Sequence, residues 1–324
     1  MDWKSNWKGI VFSAVLGISA MILESYTPSY LNSIILALIL GMVVSNLVKL
    51  PTTLDSGIGY TSAKMLEFSI LFLAVGINYS EIAKIGASSF IGLAIIVLIV
   101  LAATFYLSQR FNCPANTGIL VGFGTAICGS SAIAALSPSL KNKEKEDVAI
   151  AMAVVNLLGT LGMLILPVIL LKSDFSATKI GLLIGGSLHS VGNVAGAGFT
   201  IGKEAGDAAI TIKLARVALL TPGLIFINYL INRNTAGNWK EYFKLPWYLL
   251  GFILVTVIVS LVEIPKSTIK EVEYVGKIIL TVAMAAIGLK VSFQKLLKAG
   301  KRGIGFGLII FGLQFGLLLV LSLF

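Results

Sequence analysis

The sequence predicts an all-α, polytopic membrane protein of about 11 transmembrane helices. The chain has 324 residues, 57% of them hydrophobic and 12% charged, and its mean hydropathy is +0.95. A soluble domain carries about 25% charged residues, whereas a membrane span needs roughly 20 apolar ones. Apolar stretches recur along the whole chain, so residues 1–324 are interpreted as a single integral membrane domain. The predicted spans cover residues 9–23, 30–48, 64–80, 87–107, 118–140, 148–171, 180–201, 208–231, 246–262, 272–290 and 303–323.

The net charge of +10 follows from membrane topology and does not indicate a nucleic-acid partner. If the N-terminus is cytoplasmic, fifteen of the 25 Lys and Arg residues fall in the N-terminal tail and the inward-facing turns. Positive residues favour the cytoplasmic side. We therefore expect a multi-pass protein of the cell (inner, cytoplasmic) membrane with its N-terminus inside. A cleaved signal peptide is the alternative for the first segment, but no clear small-x-small cleavage motif precedes Glu24.

Two segments of membrane length carry many residues that weaken a lipid-facing helix. They are Gly118–Leu140 and Gly181–Gly202, which place Gly, Ser, Thr, Asn and the only His of the chain near the expected bilayer centre. Non-helical backbone at that depth is tolerated only where protein or a wet cavity satisfies it. Paired interrupted spans of this kind indicate the substrate site of a transporter.

Internal repeats accompany these segments. Gly118-x-x-x-Gly122 aligns with Gly181-x-x-x-Gly185 at an offset of 63 positions. By our count the two copies are two spans apart, so they would run parallel. A second similarity links Phe72–Leu93 with Ala285–Leu308, seven spans apart, and this odd offset predicts an inverted repeat. The sequence leaves open whether a span is miscounted or the second repeat is permuted.

Lys213 and Arg216 are two basic residues inside the predicted span 208–231. They are three positions apart and therefore share one helical face. A cation at the centre of a span is costly, so either both side chains reach the membrane interface or they form a site for an anion. Arg offers a planar donor fork and Lys a point charge, which suits a tetrahedral oxyanion.

The polar residues at the two expected helix breaks are the other candidate ligands. Hydroxyls and free backbone N–H groups at the start of a half-helix favour anions, although small residues also serve helix packing. A histidine could couple cargo to protons or act only as a packing donor. The candidates are Thr125, Cys128, Gly129, Ser130 and Ser131 at the first break, and His189, Ser190, Gly192 and Asn193 at the second.

Carboxylates are scarce in the predicted spans, where a sodium or proton antiporter usually needs one. The span after the first break carries Asn156, a neutral amide that we include among the substrate-binding candidates. Cys113 and Cys128 give neither a disulfide framework nor a metal-ligand spacing, so no metal or cofactor is expected. With one His and no base beside Ser130, a membrane-embedded enzyme is disfavoured.

Three blocks of the chain resemble the YeiH-type membrane proteins, a family to which sulfate export is ascribed. These blocks are Gly124–Pro138 (GTAICGSSAIAALSP), His189–Gly198 (HSVGNVAGAG) and Glu204–Val217 (EAGDAAITIKLARV), and the likeness extends over nearly the whole chain. The family is similar, more distantly, to the bile-acid symporter and cation–proton antiporter superfamily. That resemblance implies inverted-repeat organisation, a panel domain, a core domain with two unwound crossing helices, elevator-type movement and a homodimer. Asn156 departs from the acidic pattern of the antiporters.

Together these observations predict a secondary active transporter of a small inorganic or organosulfur anion, such as sulfate or sulfite, moved outward. Lys213 and Arg216 would neutralise the charge of the anion, and the two breaks would donate hydrogen bonds. The alternative is a sodium- or proton-coupled carrier of an organic acid or a cation. The lipid bilayer is the expected surrounding, and a proton or sodium ion is the expected coupling partner.

Overall fold

A computed structural model describes the chain at residues 3–27, 32–77, 85–110, 115–137, 140, 145–231, 247–291 and 301–323. Every regular element in these ranges is helical, which confirms the predicted all-α class. The helices are α1 (Trp3–Glu24), α2 (Ser33–Leu47), α3 (Asp55–Tyr60), α4 (Leu66–Ala74), α5 (Ala87–Arg110), α6 (Ala115–Ala126), α7 (Ser130–Leu136), α8 (Lys145–Leu170), α9 (Ala177–Ser187), α10 (Val191–Ile201), α11 (Lys203–Ala218), α12 (Leu220–Ile231), α13 (Trp247–Leu261), α14 (Lys266–Leu289) and α15 (Lys301–Leu323).

Six helical stretches among the described residues are long and apolar enough to cross a membrane by length and composition. Each of the eleven predicted ranges is occupied by one helix or by a helix pair, while the number of spans stays a prediction. The six stretches are Asn6–Glu24, Ala87–Ser108, Asp147–Leu170, Lys203–Ile227, Lys266–Leu289 and Gly303–Leu323.

The helices differ from the predicted spans in two places. The range 208–231 is not one regular helix, because α11 ends at Ala218 and α12 begins at Leu220. Pro222 has no N–H to donate to the carbonyl of Ala218, which explains the irregular turn. Between α3 and α4 the chain adopts a π-helical segment at Thr61–Met65. Cys113 and parts of the Phe72–Leu93 and Ala285–Leu308 repeat lie outside the described residues.

Large apolar side chains cover the outer faces of several helices, as expected for helices that face lipid. On α8 and α13, for example, they alternate with buried positions and leave a continuous apolar stripe on each helix. The exposed side chains on these two helices are Leu161, Ile165, Val168, Ile169, Leu250, Ile253, Leu254, Val257 and Ile258.

The chain divides into two compact units. Unit 1 comprises residues Met1–Ile82, Phe199–Lys203 and Leu250–Gln294. Its central helix is α14, which packs against α1, α2 and α4. Ile58, Ala286 and Leu289 form a buried apolar cluster in this unit.

Glycines allow α2 and α14 to approach closely. A Cβ atom placed on Gly41 would lie 2.3 Å from the carbonyl oxygen of Ala285, and Gly288 is equally close to the carbonyl of Leu38 at 2.2 Å. Below this contact, Ser45 Oγ and Asn46 Nδ2 each donate to the carbonyl oxygen of Val291 at 2.9 Å. Small residues and interhelical hydrogen bonds of this kind drive helix association in membranes.

Unit 2 comprises residues Ala83–Gly198, Glu204–Leu249 and Lys295–Phe324, and it contains every candidate site residue. Helix α6 packs against α5 and α8, and α15 packs against α5, α6, α8 and α9. Helices α6 and α9, the first halves of the two interrupted pairs, thus both pack against α15.

The glycine contact in unit 1 generates a stability prediction. Gly41→Ala places a methyl group against backbone atoms of α14 that cannot move aside, and overpacking of this kind costs about 1–3 kcal/mol. We expect the free energy of unfolding of the purified protein to fall by that amount, measured by chemical denaturation in detergent. Gly59→Ala is the matched control, since its Cβ would meet nothing within 4 Å. Equal stability of both variants would contradict the packing argument.

Candidate functional site

Both predicted interrupted segments are broken in the structure. Helix α6 ends at Ala126 and α7 begins at Ser130, so Ile127, Cys128 and Gly129 form the first break. Helix α9 ends at Ser187, Leu188 is extended with φ −66° and ψ 150°, and α10 begins at Val191. The second break therefore spans residues 188–190. The sequence repeat, with its offset of 63 positions, would have placed this break two residues later in the chain.

The two breaks touch each other at Gly129. This residue has φ +72° and ψ −131°, a conformation that is essentially restricted to glycine. A Cβ atom here would also lie 3.3 Å from the Cβ of His189. Residue 129 is therefore glycine for two reasons: the turn it makes and the close approach of the other break.

Lys213 lies on α11 and is fully buried, with none of its side chain exposed. Its Nζ donates to the carbonyl oxygen of Ile127 at 2.7 Å and to that of Leu188 at 2.8 Å. One ammonium group therefore joins the end of α6 to the end of α9.

Arg216 is also fully buried and lies on the same face of α11. Toward α6, its Nε donates to Ala126 O at 3.2 Å and its Nη2 donates to Thr125 O at 2.6 Å. Toward α9, its Nη1 donates to the carbonyl oxygens of Gly185 at 3.2 Å, Gly186 at 2.6 Å and Leu188 at 3.2 Å.

The two cations therefore satisfy three backbone carbonyls at each helix end. The last carbonyls of a helix have no intrahelical partner, and buried ones cost about 1–3 kcal/mol each when left unpaired. Cations also interact favourably with the negative end of the helix dipole. The carbonyls belong to Thr125, Ala126 and Ile127 of the first interrupted helix and to Gly185, Gly186 and Leu188 of the second.

This arrangement changes the expected role of Lys213 and Arg216. Both side chains are fully buried within the protein instead of lying on its surface. The donor fork that the sequence suggested for an anion is instead directed at main-chain carbonyls. Among the described residues neither cation forms an ion pair, so two positive charges remain buried without a carboxylate partner. Their direct contact with a cargo anion stays a prediction, whereas their support of the breaks is observed.

Small residues bring α11 close enough for these contacts. A Cβ atom on Gly185 would lie 2.3 Å from Ala209 O, and one on Gly181 would lie 2.5 Å from the Ala208 Cβ. Gly198 of α10 approaches Gly206 in the same way, with its Cβ position 2.9 Å from the Gly206 Cα. The repeated Gly-x-x-x-Gly pattern of the second segment therefore serves helix packing.

His189 lies in the second break and is 1% exposed. Its Nε2 is 3.2 Å from Thr125 Oγ1, so the two breaks also meet through side chains. The ring stacks on Phe311 of α15 with a centroid distance of 5.5 Å and an interplanar angle of 15°. Its Nδ1 is buried and has no hydrogen-bond partner in the part of the chain that the structure describes.

Ser190, Gly192 and Asn193 form the start of α10. Ser190 Oγ accepts a hydrogen bond of 3.1 Å from the Asn193 backbone N–H, as an N-cap residue does. Gly192 and Asn193 lie in the first turn, and Asn193 is 5% exposed. The Asn193 amide occupies the space beside Gly159, where a Cβ atom would lie 2.3 Å from Nδ2.

The remaining candidates are less closely joined to this cluster. Ser131 is exposed, and its hydroxyl donates to Cys128 O at 3.1 Å and to Cys128 Sγ at 3.0 Å. Ser130 is half-buried at the start of α7, and Cys128 is buried. Asn156 is exposed on α8, and only its backbone carbonyl has an assigned contact, from Thr160 Oγ1 at 2.9 Å.

Sequence reasoning missed three residues at the second break. Gly159 makes room for Asn193, Phe311 stacks on His189, and Gln314 Nε2 donates to Gly186 O at 2.5 Å. The lone amide of Gln314 in an otherwise apolar span was a signal that could have been followed. Phe311 and Gly159 carried no such signal, because both residue types are common in membrane helices.

Comparisons with known proteins agree with the sequence resemblance. Residues 8–307 match the family described as Conserved hypothetical protein 698. A UPF0324 membrane protein of Oceanobacillus iheyensis is 31% identical, over 90% of this chain and 88% of that protein. Another UPF0324 membrane protein, from Helicobacter hepaticus, is 30% identical over 94% of this chain and 93% of its own length.

A solved structure of the sodium proton antiporter MjNhaP1 from Methanocaldococcus jannaschii also matches this chain. The alignment covers 96% of this chain and 100% of that chain, with 16% identity and a TM-score of 0.30.

The contacts of the two cations predict a graded loss of stability. Arg216→Met leaves five carbonyls without this donor and Lys213→Met leaves two, so both should destabilise the protein and Arg216→Met should do so more. We expect a loss of at least about 3 kcal/mol for Arg216→Met, measured by denaturation in detergent. Lys179→Met, at an exposed position on α9, is the control and should stay within about 0.5 kcal/mol of wild type. A reversed order of the two variants would refute the proposed capping.

The conformation of Gly129 generates a second prediction. Gly129→Ala should cost about 1–3 kcal/mol, because an alanine strongly disfavours this backbone conformation and its methyl group would crowd His189. Gly305→Ala is the control, since its Cβ would meet nothing within 4 Å. The measurement is again the free energy of unfolding, and an unchanged value for Gly129→Ala would show that the break relaxes freely.

Proposed function

This chain belongs to the Conserved hypothetical protein 698 family, as the YeiH-type resemblance indicated, and we propose that it is a secondary active transporter of a small anion. The observation that carries the proposal is the pair of buried cations at two touching helix breaks. The curated relatives are named as membrane proteins, and their names state no cargo.

The broken helices support transport. A helix break inside a membrane protein leaves backbone carbonyls without their helical hydrogen bonds. In this chain two buried cations donate hydrogen bonds to these carbonyls. Such breaks place polar groups and helix ends near the middle of the bilayer, where a cargo site in a secondary transporter lies. A purely structural membrane protein has no need of this arrangement. An enzyme would need an accessible nucleophile with its base, whereas the one hydroxyl–imidazole contact of the described cluster, between Thr125 and His189, is fully buried.

The electrostatics favour an anion over a cation. Lys213 and Arg216 carry two formal charges, and the carbonyls that they contact are dipoles, which compensate these charges only in part. Helix α10 begins directly after the second break, so the positive end of its helix dipole also lies at this break. A negatively charged cargo lowers the energy of this site, whereas a cation is repelled because buried charges are poorly screened.

The hydrogen-bond donors of the cluster suit a compact oxyanion. We propose sulfate or sulfite as the cargo, moved outward, because the resemblance to proteins with ascribed sulfate export points to these anions. We further propose elevator-type alternating access, in which unit 2 acts as the core that carries the cargo and unit 1 acts as the panel. The support for this is that every candidate site residue belongs to unit 2.

The test is uptake by the purified protein in proteoliposomes. We expect radiolabelled sulfate or sulfite to cross the membrane only when the protein is present, and Lys213→Gln to reduce the rate at least about tenfold, since it removes one buried charge. Lys179→Gln, which removes an exposed charge, should transport like wild type. Folding of each variant is checked by size-exclusion chromatography.

Two results would overturn the proposal. One is wild-type transport by a folded Lys213→Gln variant. The other is flux of an organic acid or a cation that follows a sodium or proton gradient and is not inhibited by sulfate or sulfite, which would instead support the ion-coupled alternative.

A further inference from the structure

Two buried polar atoms at the second break have no partner among the described residues, Nδ1 of His189 and Oε1 of Gln314, and the first of these lies beside the Asn193 amide. We propose that His189 Nδ1–H and the Asn193 amide form a donor pair that selects oxyanions carrying no proton. This inference rests on the proposed function, because it specifies which anions the same site accepts. We call the side chains of His189 and Asn193, together with Gly159 of α8 beside them, the selection niche.

The hydrogen bond made by Nε2, the other ring nitrogen of His189, determines whether Nδ1 donates or accepts. Nε2 lies 3.2 Å from the hydroxyl of Thr125. When that hydroxyl donates to Nε2, the proton of the neutral ring is on Nδ1, and the ring becomes a donor toward the niche. Stacking on Phe311 holds the plane of the ring in place.

Nδ1 and the Asn193 amide face the same side of α8. From the position of a Cβ on Gly159, Asn193 Nδ2 is 2.3 Å away and His189 Nδ1 is 3.4 Å away. No hydrogen bond joins these two nitrogens, which is the arrangement expected of two donors that share an external acceptor. Both residues are at least nine-tenths buried, and the unmet hydrogen-bonding capacity of His189 Nδ1 is costly without a ligand.

The surroundings of the niche supply further positive potential. Lys213 Nζ donates to the carbonyl of Leu188, the residue next to His189, and α10 begins two residues after His189. Ser190 Oγ already accepts from the Asn193 backbone N–H, so its hydroxyl proton remains to be donated. The niche therefore offers donors and positive charge to a ligand.

A site made of donors discriminates between oxyanions by their protonation. Sulfate is fully deprotonated near neutral pH, and each of its oxygens accepts. Phosphate retains at least one O–H there, and this group would face another donor and lose its hydrogen bond on burial. A buried donor left unpaired weakens binding by about tenfold or more. Sulfate should therefore be preferred over phosphate, although the two ions have similar size and shape.

The experiment compares the two anions on the full-length protein in detergent. Isothermal titration with sodium sulfate and with sodium phosphate near neutral pH gives the ratio of their dissociation constants. We expect wild type to bind sulfate at least about tenfold more tightly. Asn193→Asp replaces a donor with an acceptor of the same shape, so this ratio should fall towards one or invert. The ratio of the two dissociation constants is the readout, because the added negative charge weakens the binding of both anions and largely cancels in the ratio.

A second pair of variants tests the space beside α8. Gly159→Ala pushes a methyl group into the position of the Asn193 amide and should weaken sulfate binding by at least about tenfold. Gly312→Ala on α15 is the control, since its Cβ would meet nothing within 4 Å, and it should bind like wild type. If Gly159→Ala does not fold, the Asn193→Asp ratio decides the question.

The outcomes separate this inference from the proposed function. Equal affinity of wild type for sulfate and phosphate, or a ratio unchanged in Asn193→Asp, would overturn the selection niche and leave anion transport standing. Failure of wild type to bind or transport any oxyanion would overturn the proposed function and this inference with it.

Discussion

The structure depends on the satisfaction of backbone carbonyls at two buried helix ends. In a membrane interior, water cannot pair the last carbonyls of a helix, so a broken helix is stable only if the protein supplies donors. Here Lys213 and Arg216 supply them, and each cation binds both helix ends. The contacts fix the distance between the breaks, and with it the positions of Gly129 and His189. A neutral donor would pair the carbonyls but would not oppose the negative ends of the two helix dipoles.

The use of two cationic side chains to pair these carbonyls places positive charge inside the protein. Two formally cationic side chains are buried in the protein interior with no carboxylate among their described contacts, and main-chain dipoles offset their charge only in part. Buried charges of one sign are costly, and a bound anion is the simplest compensation. The side chains that hold the charge are occupied by carbonyls, whereas His189, whose Nδ1 has no partner among the described residues, lies beside them. In the proposed transporter, charge and recognition therefore belong to different residues of one cluster.

Glycines at several positions allow the helices and side chains of this cluster to approach each other closely. Gly129 provides the backbone conformation of the first break, and Gly181 and Gly185 bring α9 against α11. Gly159 gives the Asn193 amide its place, and α15 closes the second break with Phe311 and Gln314. A methyl group at most of these positions would meet backbone or a fixed side chain. These glycines therefore serve different geometric purposes, which include a backbone conformation, helix contact and room for a side chain.

The sequence by itself determined the helical class, the two interrupted segments and the significance of Lys213 and Arg216. It could do so because hydropathy, small-residue content and intramembrane charge are local properties of the chain. It did not determine what the cations contact, since their acceptors lie on helices 25 to 91 positions away in sequence. Only the tertiary structure showed that these acceptors are main-chain carbonyls, that Asn156 is exposed, and that Phe311, Gln314 and Gly159 complete the second break. Main-chain carbonyls are present at every residue, so no sequence pattern marks the ones that a distant helix break leaves unpaired.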